Sequence, residues 1–234
     1  MLGQTFPMPI EVRAPGDRFL TRAEGRTTWH SFSFGAHYDP ANVRFGPLVV
    51  LNDELLPRGT GYDDHPHRDT EIVTWVLSGA LRHRDSSGHD AVVGAGEVQV
   101  LTAGSGVVHS EVSAAVGPTR FVQCWLRPDS ADLAPSYATA RPDVRGSLVV
   151  LASGGGAGLP INVSGASLSA AALEPGEQVL LAPARRLLVF VATGELLLGG
   201  RALPAGGEAR LLDEQSQPGT ATMPETRVLV WALP

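Results

Sequence analysis

Two pairs of potential metal ligands stand out in the sequence, and the members of each pair are two residues apart. His65 and His67 form the first pair, and His109 and Glu111 form the second. Residues i and i+2 of a β-strand point to the same face, so each pair could grip one side of an ion. Two pairs facing each other inside a small barrel would supply three imidazole nitrogens and one carboxylate oxygen. This set suits divalent Fe, Mn, Co, Ni, Cu or Zn, and it lacks the thiolates that favour a closed structural zinc site.

The alternative is a pair of solvated histidines on a barrel rim, with Glu111 an ordinary exposed carboxylate. Glycine-rich turns precede both pairs, at Gly59–Gly61 and Ala103–Gly106, and apolar segments separate them. This context favours the metal site. Four protein ligands would leave positions on the ion open to a small molecule, as in catalytic rather than structural sites.

Three further polar residues near the two pairs need an interpretation. Glu71 follows the first pair by four residues and would be a fifth ligand on an unbroken strand. A bulge at residues 68–70 would turn it away, and we favour this supporting or structural role. His83 and His89 fall within Leu81–Asp90, a polar stretch that we interpret as a hairpin turn with solvated histidines.

The composition bounds the class of protein. The chain has 234 residues, of which 43% are hydrophobic and 18% charged, so it can bury a full core. Its net charge is −6 and it contains no run of lysine and arginine, which argues against nucleic-acid binding through a basic patch. The 27 glycines and 18 prolines indicate many short strands rather than long helices.

The cysteine count and the apolar runs indicate a compartment. Cys124 is the single cysteine, so no disulfide can form within one chain, which fits a reducing environment. It lies in the predicted strand Phe121–Leu126 and is expected to be a small buried hydrophobe. We recognise no signal peptide and no apolar run long enough to cross a membrane. We therefore expect a soluble cytoplasmic protein.

The second half of the chain echoes the first. Val76–Leu81 resembles Val191–Leu196, and Val93–Leu101 resembles Pro204–Leu212, which matches Gly79 to Gly194 and Gly96 to Gly207. Two copies of one β-unit predict two similar small barrels.

These matches also predict a domain plan. Residues 128–142 are rich in proline, alanine and aspartate, and we interpret them as a linker between domains at 1–127 and 143–234. Residues 1–12 are interpreted as an arm or an edge segment. The residues matched to the four candidate ligands are not plausible ligands, so the second barrel is expected to be metal-free.

The residues around both pairs resemble a known family. Gly59-x5-His65-x-His67-x3-Glu71-x7-Gly79 resembles the first cupin motif, and Gly96-x5-Thr102-x-Gly104-x4-His109-x-Glu111 resembles the second, in the longer form of the pirin family. Upstream segments such as Trp29–Phe34 also resemble pirins. The resemblance is strong over residues 13–127 and concerns only the general plan beyond them.

This resemblance implies an all-β bicupin of two double-stranded β-helix (jelly-roll) barrels packed together. It implies one metal ion, often iron, bound by residues that match His65, His67, His109 and Glu111, with Glu71 usually not a ligand. Several bacterial pirins act as quercetin 2,3-dioxygenases, whereas animal relatives are nuclear co-regulators.

Our functional hypothesis is a metal-dependent dioxygenase that opens the ring of a flavonol such as quercetin with O2. The metal, Fe(II) by expectation, would lower the pKa of the flavonol 3-hydroxyl, and Glu111 would accept its proton. The expected partners are a small phenolic substrate and O2, with no nucleic acid and no membrane. The competing hypothesis is a non-enzymatic, redox-responsive metal protein that binds a protein partner, and a third is a metal enzyme acting on another substrate.

Overall fold

The computed structural model describes residues 10–23, 25–214 and 216–234. β-Strands make up nearly all of the regular structure in these ranges, and the one helical segment there is a 3-10 turn at Pro15–Asp17. The predicted all-β bicupin architecture is confirmed. No helix in the described ranges is both long and apolar enough to cross a membrane. Of the arm or edge segment predicted at residues 1–12, residues 1–9 lie outside the described residues.

The strands of the described residues are numbered in chain order. They are β1 (Glu11–Arg13), β2 (Phe19–Ala23), β3 (Arg26–His30), β4 (Leu48–Leu56), β5 (Gly61–His67), β6 (Glu71–Ser78), β7 (Ala80–Asp85), β8 (Asp90–Gly94), β9 (Val98–Thr102), β10 (Val107–Ser113), β11 (Thr119–Leu126), β12 (Ser136–Ala140), β13 (Val149–Ser153), β14 (Leu159–Pro160), β15 (Ser167–Leu173), β16 (Gln178–Leu181), β17 (Ala184–Thr193), β18 (Glu195–Leu198), β19 (Arg201–Pro204), β20 (Glu208–Glu214), β21 (Gln217–Ala221) and β22 (Thr226–Leu233).

The strands cluster into two compact units. The N-terminal barrel comprises residues 16–143 and 150–165, and the C-terminal barrel includes residues 10–15, 144–149 and 166–234. We predicted domains at 1–127 and 143–234 with a linker at 128–142. The clustering places 128–142 in the N-terminal barrel and differs from the predicted bounds in two further places. β1 belongs to the C-terminal barrel because it pairs with β20 along a sheet edge. Residues 150–165 belong to the N-terminal barrel, in which Asn162 donates a hydrogen bond to Glu71.

The N-terminal barrel is built from two antiparallel sheets. One has seven strands in the order β12-β9-β6-β11-β4-β3-β2, and the other has four in the order β5-β10-β7-β8. Alternating burial along β10 shows that one face of this strand is turned inward. The four-stranded sheet therefore carries both pairs of candidate ligands on adjacent strands.

The interior of this barrel changes from apolar to polar along β4. Asn52, Glu54 and Leu56 share one face of that strand, since they are two residues apart. Leu56 packs against Val76 and Phe121 in a fully buried apolar cluster, whereas Asn52 and Glu54 line a cavity. Each fully buried side chain of this size stabilises the fold by roughly 1.5–3 kcal/mol. The apolar layer thus supports a polar layer above it.

The interval interpreted as a linker, residues 128–142, contains a strand. β12 pairs antiparallel with β9 and covers its edge, from Ser136 opposite Thr102 to Ala140 opposite Val98. The prolines around this segment suggested irregular structure. The five residues of β12 contain no proline, so all their N–H groups remain available to a sheet.

The C-terminal barrel repeats this plan. Its four-stranded sheet has the order β16-β21-β18-β19, and its other sheet contains the run β1-β20-β17-β22-β15. Its interior is a large aliphatic cluster that includes Val179, Leu181, Leu198 and Ala209. Strands β13 and β14 pair in parallel with each other, Ala152 opposite Leu159, and apart from Val149 they fall within the N-terminal barrel.

Backbone contacts fix the register of the repeat. The carbonyl of Val76 accepts the N–H of Gly96 at 2.8 Å, and that of Val191 accepts the N–H of Gly206 at 2.7 Å. The match of Val76 with Val191 therefore holds. Gly96 corresponds to Gly206 rather than to Gly207, because the second hairpin is one residue shorter than the sequence comparison assumed.

A close approach of β5 and β10 sets the position of both ligand pairs. A Cβ built at Gly61 would meet the backbone carbonyl of Glu111 and would lie 2.7 Å from Cα of Val112. The strand register shifts between His109 and Glu111, immediately beside this contact. Glycine at position 61 therefore lets the two backbones come together where the bulge occurs.

We expect Gly61→Ala to lower the free energy of unfolding by about 1–3 kcal/mol, because a methyl group would force β5 away from β10. Denaturant unfolding measures this. Gly117→Ala is the matched control, since a Cβ there meets nothing within 4 Å. Equal stability of the two variants would contradict the crowding argument.

Candidate metal centre

Three histidines converge at the pairing of β5 and β10. His65 and His109 lie opposite each other in the register. Their ring centroids are 4.4 Å apart, and the His67 ring is 4.9 Å from His65 and 5.0 Å from His109. One ring nitrogen from each of the three lies within 4.8 Å of the others. The two predicted pairs thus meet as neighbours in one sheet, and not from opposite walls of a barrel.

The hydrogen bonding of these rings leaves nitrogens without a protein partner. Nδ1 of His65 lies 2.7 Å from the backbone carbonyl of Asp63, which can only accept, so this nitrogen carries the proton and Nε2 the lone pair. Among the described residues, Nε2 of His67 and both ring nitrogens of His109 are buried and have no hydrogen-bond partner. Buried polar atoms are rarely left in this state. The three rings therefore fit a divalent cation, which would take these lone pairs.

The electrostatics of the cluster favour uncharged rings. Burial, together with His109 and His65, lowers the pKa of His67 to about 4. Burial, together with His65 and His83, lowers the pKa of His109 to about 3. Neutral imidazole is the form that binds metals, so at neutral pH these two rings are ready for an ion.

Glu111 sits in a chain of side-chain hydrogen bonds. Gln99 donates to one carboxylate oxygen at 2.6 Å, and Gln123 donates to the other at 2.7 Å. The amide oxygens of these glutamines accept from Tyr137 Oη and Trp125 Nε1, at 2.8 and 2.9 Å. An indole N–H can only donate, so it fixes the orientation of Gln123 and turns that amide's NH2 group toward Glu111.

Glu111 approaches the histidine cluster through His109. A carboxylate oxygen of Glu111 and ring nitrogens of His109 and His83 lie within 4.8 Å of one another. In the part of the chain that the structure describes, two groups of three potential ligands meet this distance, and His109 belongs to both. Glu111 is fully buried, so the alternative of an exposed carboxylate is wrong.

The interpretation of His83 as a solvated turn histidine is wrong. Leu81–Asp90 is mostly strand, and His83 lies on the inward face of β7 with no exposed surface. Its ring stacks on Tyr137 at 4.2 Å. Polar residues around it suggested a turn, but the alternation of Leu81 and His83 with exposed arginines was the signal for an inward-facing histidine.

A buried carboxylate orients His83. Oδ2 of Asp85 lies 3.1 Å from Nε2 of His83 and 2.8 Å from Nδ1 of the half-exposed His89. Although burial opposes it, these hydrogen bonds hold the pKa of Asp85 below its usual range. In the neutral His83 ring the proton is then on Nε2 and the lone pair on Nδ1, which is buried without a partner among the described residues. This arrangement is that of a carboxylate–histidine pair supporting a metal site.

Glu71 turns away from the cluster, as the favoured interpretation predicted. The chain leaves β5 after His67, Asp69 adopts a φ of 49°, and Glu71 begins a strand of the other sheet. Its carboxyl accepts hydrogen bonds from Thr102 at 2.9 Å and from Asn162 at 3.1 Å. Its role in the described structure is to fix these two segments.

A cavity of about 290 Å³ adjoins His65 and Glu111. Its aromatic wall contains Phe34, Tyr62 and Trp125. Asn52, Glu54 and Gln123 supply the remaining polar groups of its lining. Volumes near 300 Å³ are at the small end of ligand-binding pockets, so this cavity suits one small molecule.

The C-terminal barrel has different chemistry at the matching positions. Glu111 lies opposite His83 in the sheet, and the equivalent pair is Gly219 opposite Leu198. Gln99 and Gln123 both pair with Thr74 of β6. In the C-terminal barrel, Ala209 and Val230 pair in the same way with Val189 of β17, so alanine and valine take the places of the two glutamines. The same fold therefore forms without this polar network, which argues against a purely structural role for the network.

Comparisons with known proteins agree with this geometry. A family model described as pirin matches residues 14–126. A Mycobacterium tuberculosis protein named as a candidate quercetin 2,3-dioxygenase is 44% identical over 232 residues, with 96% of this chain and 95% of the relative covered. The Escherichia coli K12 quercetin 2,3-dioxygenase is 34% identical over 211 residues, with 88% and 91% covered.

Solved structures extend the comparison to three dimensions. The crystal structure of the E. coli bacterial pirin YhhW in complex with nickel(II) superposes with a TM-score of 0.89 at 31% identity. It covers 97% of this chain and 99% of that one. The relative thus carries a divalent ion on a fold that matches nearly every residue.

We expect His67→Ala to lower the bound metal to below about a tenth of the wild-type content, since a buried site with one imidazole removed loses affinity steeply. Elemental analysis after loading with Fe(II) and desalting measures it. His37→Ala is the control, because His37 contacts Thr21 outside the cluster. Full metal content in His67→Ala would contradict the site.

We expect Asp85→Asn to weaken metal binding about tenfold, the low end of the range for groups that support a metal site from outside the ligand set. The new amide would donate to Nε2 of His83, which would then carry its proton on Nδ1 within the group that includes the candidate ligands His109 and Glu111. Oδ1 could still accept from the turn N–H groups of Ser87 and His89. Competition with a chelator gives the affinity. Asp90→Asn is the control, since Asp90 pairs with exposed Arg82; equal effects of the two would refute the orienting role.

Proposed function

Because the chain belongs to the pirin family, we propose that it is a metal-dependent dioxygenase that opens the ring of a flavonol such as quercetin with O2. We propose His65, His67, His109 and Glu111 as the metal ligands and Fe(II) as the native ion. In this reaction both atoms of O2 enter the ring-opened ester, and one ring carbon leaves as carbon monoxide.

One observation carries the proposal: His65 lines a cavity with aromatic walls and belongs to the same cluster as His67 and His109, whose buried ring nitrogens have no partner among the described residues. An ion in a purely structural site has every position filled by protein, whereas here a ligand-sized space adjoins His65. The nickel(II) complex of the E. coli relative supports a divalent ion in this family.

The bound ion would supply Lewis acidity that lowers the pKa of the flavonol 3-hydroxyl. Glu111 lines the same cavity as His65 and accepts the 3-hydroxyl proton on one of its carboxylate oxygens. Gln99 and Gln123 hold that carboxylate from either side, so it is oriented before the ligand arrives.

The aromatic wall protects the anion formed in this step. Phe34 and Trp125 pack in a T-shaped arrangement with ring centroids 5.5 Å apart, and Trp125 packs in the same way with His67 at 4.7 Å. These rings exclude water beside the cluster and offer flat surfaces to a planar ligand.

We expect Fe(II)-loaded protein to consume O2 and release carbon monoxide with quercetin. His65→Ala would abolish both with loss of metal. Glu111→Gln, compared at equal metal content because Glu111 is also a proposed ligand, would reduce turnover about 100-fold, the usual contribution of a general base. His37→Ala should retain turnover. Oxygen-electrode traces and gas analysis measure the two gases.

Absence of turnover with several flavonols, in protein of verified full metal content, would refute the proposed activity. A metal-binding protein without catalysis, or a metal enzyme for another substrate, would then be the remaining interpretation.

A further inference from the structure

The cavity beside the metal cluster has a second polar group that the proposed chemistry does not use. Glu54 projects into it from β4 and is 1% exposed. His65 and Glu111 line the same cavity from the other sheet, on β5 and β10. A ligand bound to the cluster through one oxygen therefore meets a second carboxyl group elsewhere on the cavity wall.

The contacts of Glu54 leave part of its hydrogen-bonding capacity unused. Thr28 donates to Oε2 at 2.6 Å, Asn52 donates to Oε1 at 3.3 Å, and the Tyr62 hydroxyl bonds the same carboxyl. A carboxylate has about four acceptor sites, so three donors leave room for one more. Protonation would convert one oxygen into a donor, and either form can bind a hydroxyl group.

The neighbouring acid on β4 shows which partners a purely structural carboxylate has in this barrel. Asp53 points to the opposite face, where Arg120 binds it with two hydrogen bonds of 2.9 Å each. The donors to Glu54 named above are neutral side chains instead. Burial raises the pKa of Glu54 to about 7, so both protonation states are populated near neutral pH.

The repeat argues against a need for this acid in the fold. Glu54 pairs with Phe121, and the equivalent pair in the C-terminal barrel is Ala171 with Val228. Ala171 is fully buried in the aliphatic interior. The same architecture thus forms with a methyl group at this position, while the N-terminal barrel keeps a carboxyl in contact with an open space.

We propose that Glu54, with Asn52 beside it, binds a hydroxyl group on the ring of the ligand that is remote from the metal-bound oxygen. The cavity then selects aromatic molecules with oxygen functions at both ends over those with a single chelating end. This inference rests on the proposed metal centre, which would hold the first end of the ligand.

The test measures binding without turnover. The full chain is loaded with Zn(II), which has no redox chemistry, and titrated without O2 with quercetin and with 3-hydroxyflavone, which lacks the remote hydroxyls. We expect wild type to bind quercetin more tightly. Glu54→Leu should reduce the ratio of the two affinities about tenfold, the equivalent of one hydrogen bond to a carboxylate, and leave 3-hydroxyflavone binding nearly unchanged.

Two further variants keep the test decisive. Glu54→Gln preserves the shape and should lower the same ratio by a smaller factor, so the result does not depend on the leucine variant folding. Glu71→Gln removes another buried carboxyl whose pKa burial raises, but one outside the cavity, and should keep the wild-type ratio.

An unchanged ratio in both Glu54 variants would overturn the inference, as would failure of wild-type protein to bind either ligand. A different result would refute the proposed dioxygenase activity. Selective binding that depends on Glu54, without O2 consumption by the Fe(II) protein, would refute the activity and retain the hydroxyl-binding role of Glu54.

Discussion

The antiparallel pairing of β5 with β10 is the contact on which the candidate site depends. It sets His65 directly opposite His109, and the glycine at position 61 permits the close backbone approach beside the bulge. A register slip of one residue would turn every side chain of a strand to the other face. The three imidazoles and Glu111 come from only two strands. Such a slip in either strand would therefore separate its two candidate ligands from those of the other strand. The site is therefore specified by backbone geometry as much as by ligand identity.

The polar interior exists against the tendency of a small barrel to fill with aliphatic groups. Partnerless buried nitrogens are destabilising until something binds them, and each leaves a penalty of about 1–3 kcal/mol. The C-terminal barrel shows the alternative, with leucine, valine and alanine in the corresponding layer. The two barrels share one architecture but differ in their interiors. The C-terminal barrel has an apolar interior, and the N-terminal barrel accommodates charged groups and lone pairs.

Much of this could be predicted from the sequence, for reasons that particular residues make plain. The i, i+2 spacing of His65 with His67 and of His109 with Glu111 needs only a strand to bring each pair onto one face. The tandem echo around Gly79 and Gly194 predicts a second barrel because a turn glycine with positive φ recurs in each copy. Features that depend only on local residue spacing can be predicted from the sequence in this way.

The features that sequence reasoning missed depend on contacts between distant segments. His83 became part of the site through the pairing of β7 with β10, which no local pattern around it specifies. The strand at Ser136–Ala140 forms because β9 offers it an edge, and Tyr137 is then positioned to bond Gln99. Glu54 could not be recognised because its neighbours on the cavity wall come mostly from three other strands, β5, β10 and β11.

The start of the chain poses the same difficulty. β1 pairs with β20, nearly two hundred positions away, and thereby protects the outer edge of that strand. Severing the protein between its halves would leave β20 with free N–H and C=O groups along that border, a surface prone to self-association. Each barrel therefore takes residues from both halves of the chain, so neither half of the polypeptide alone contains every strand of its own barrel.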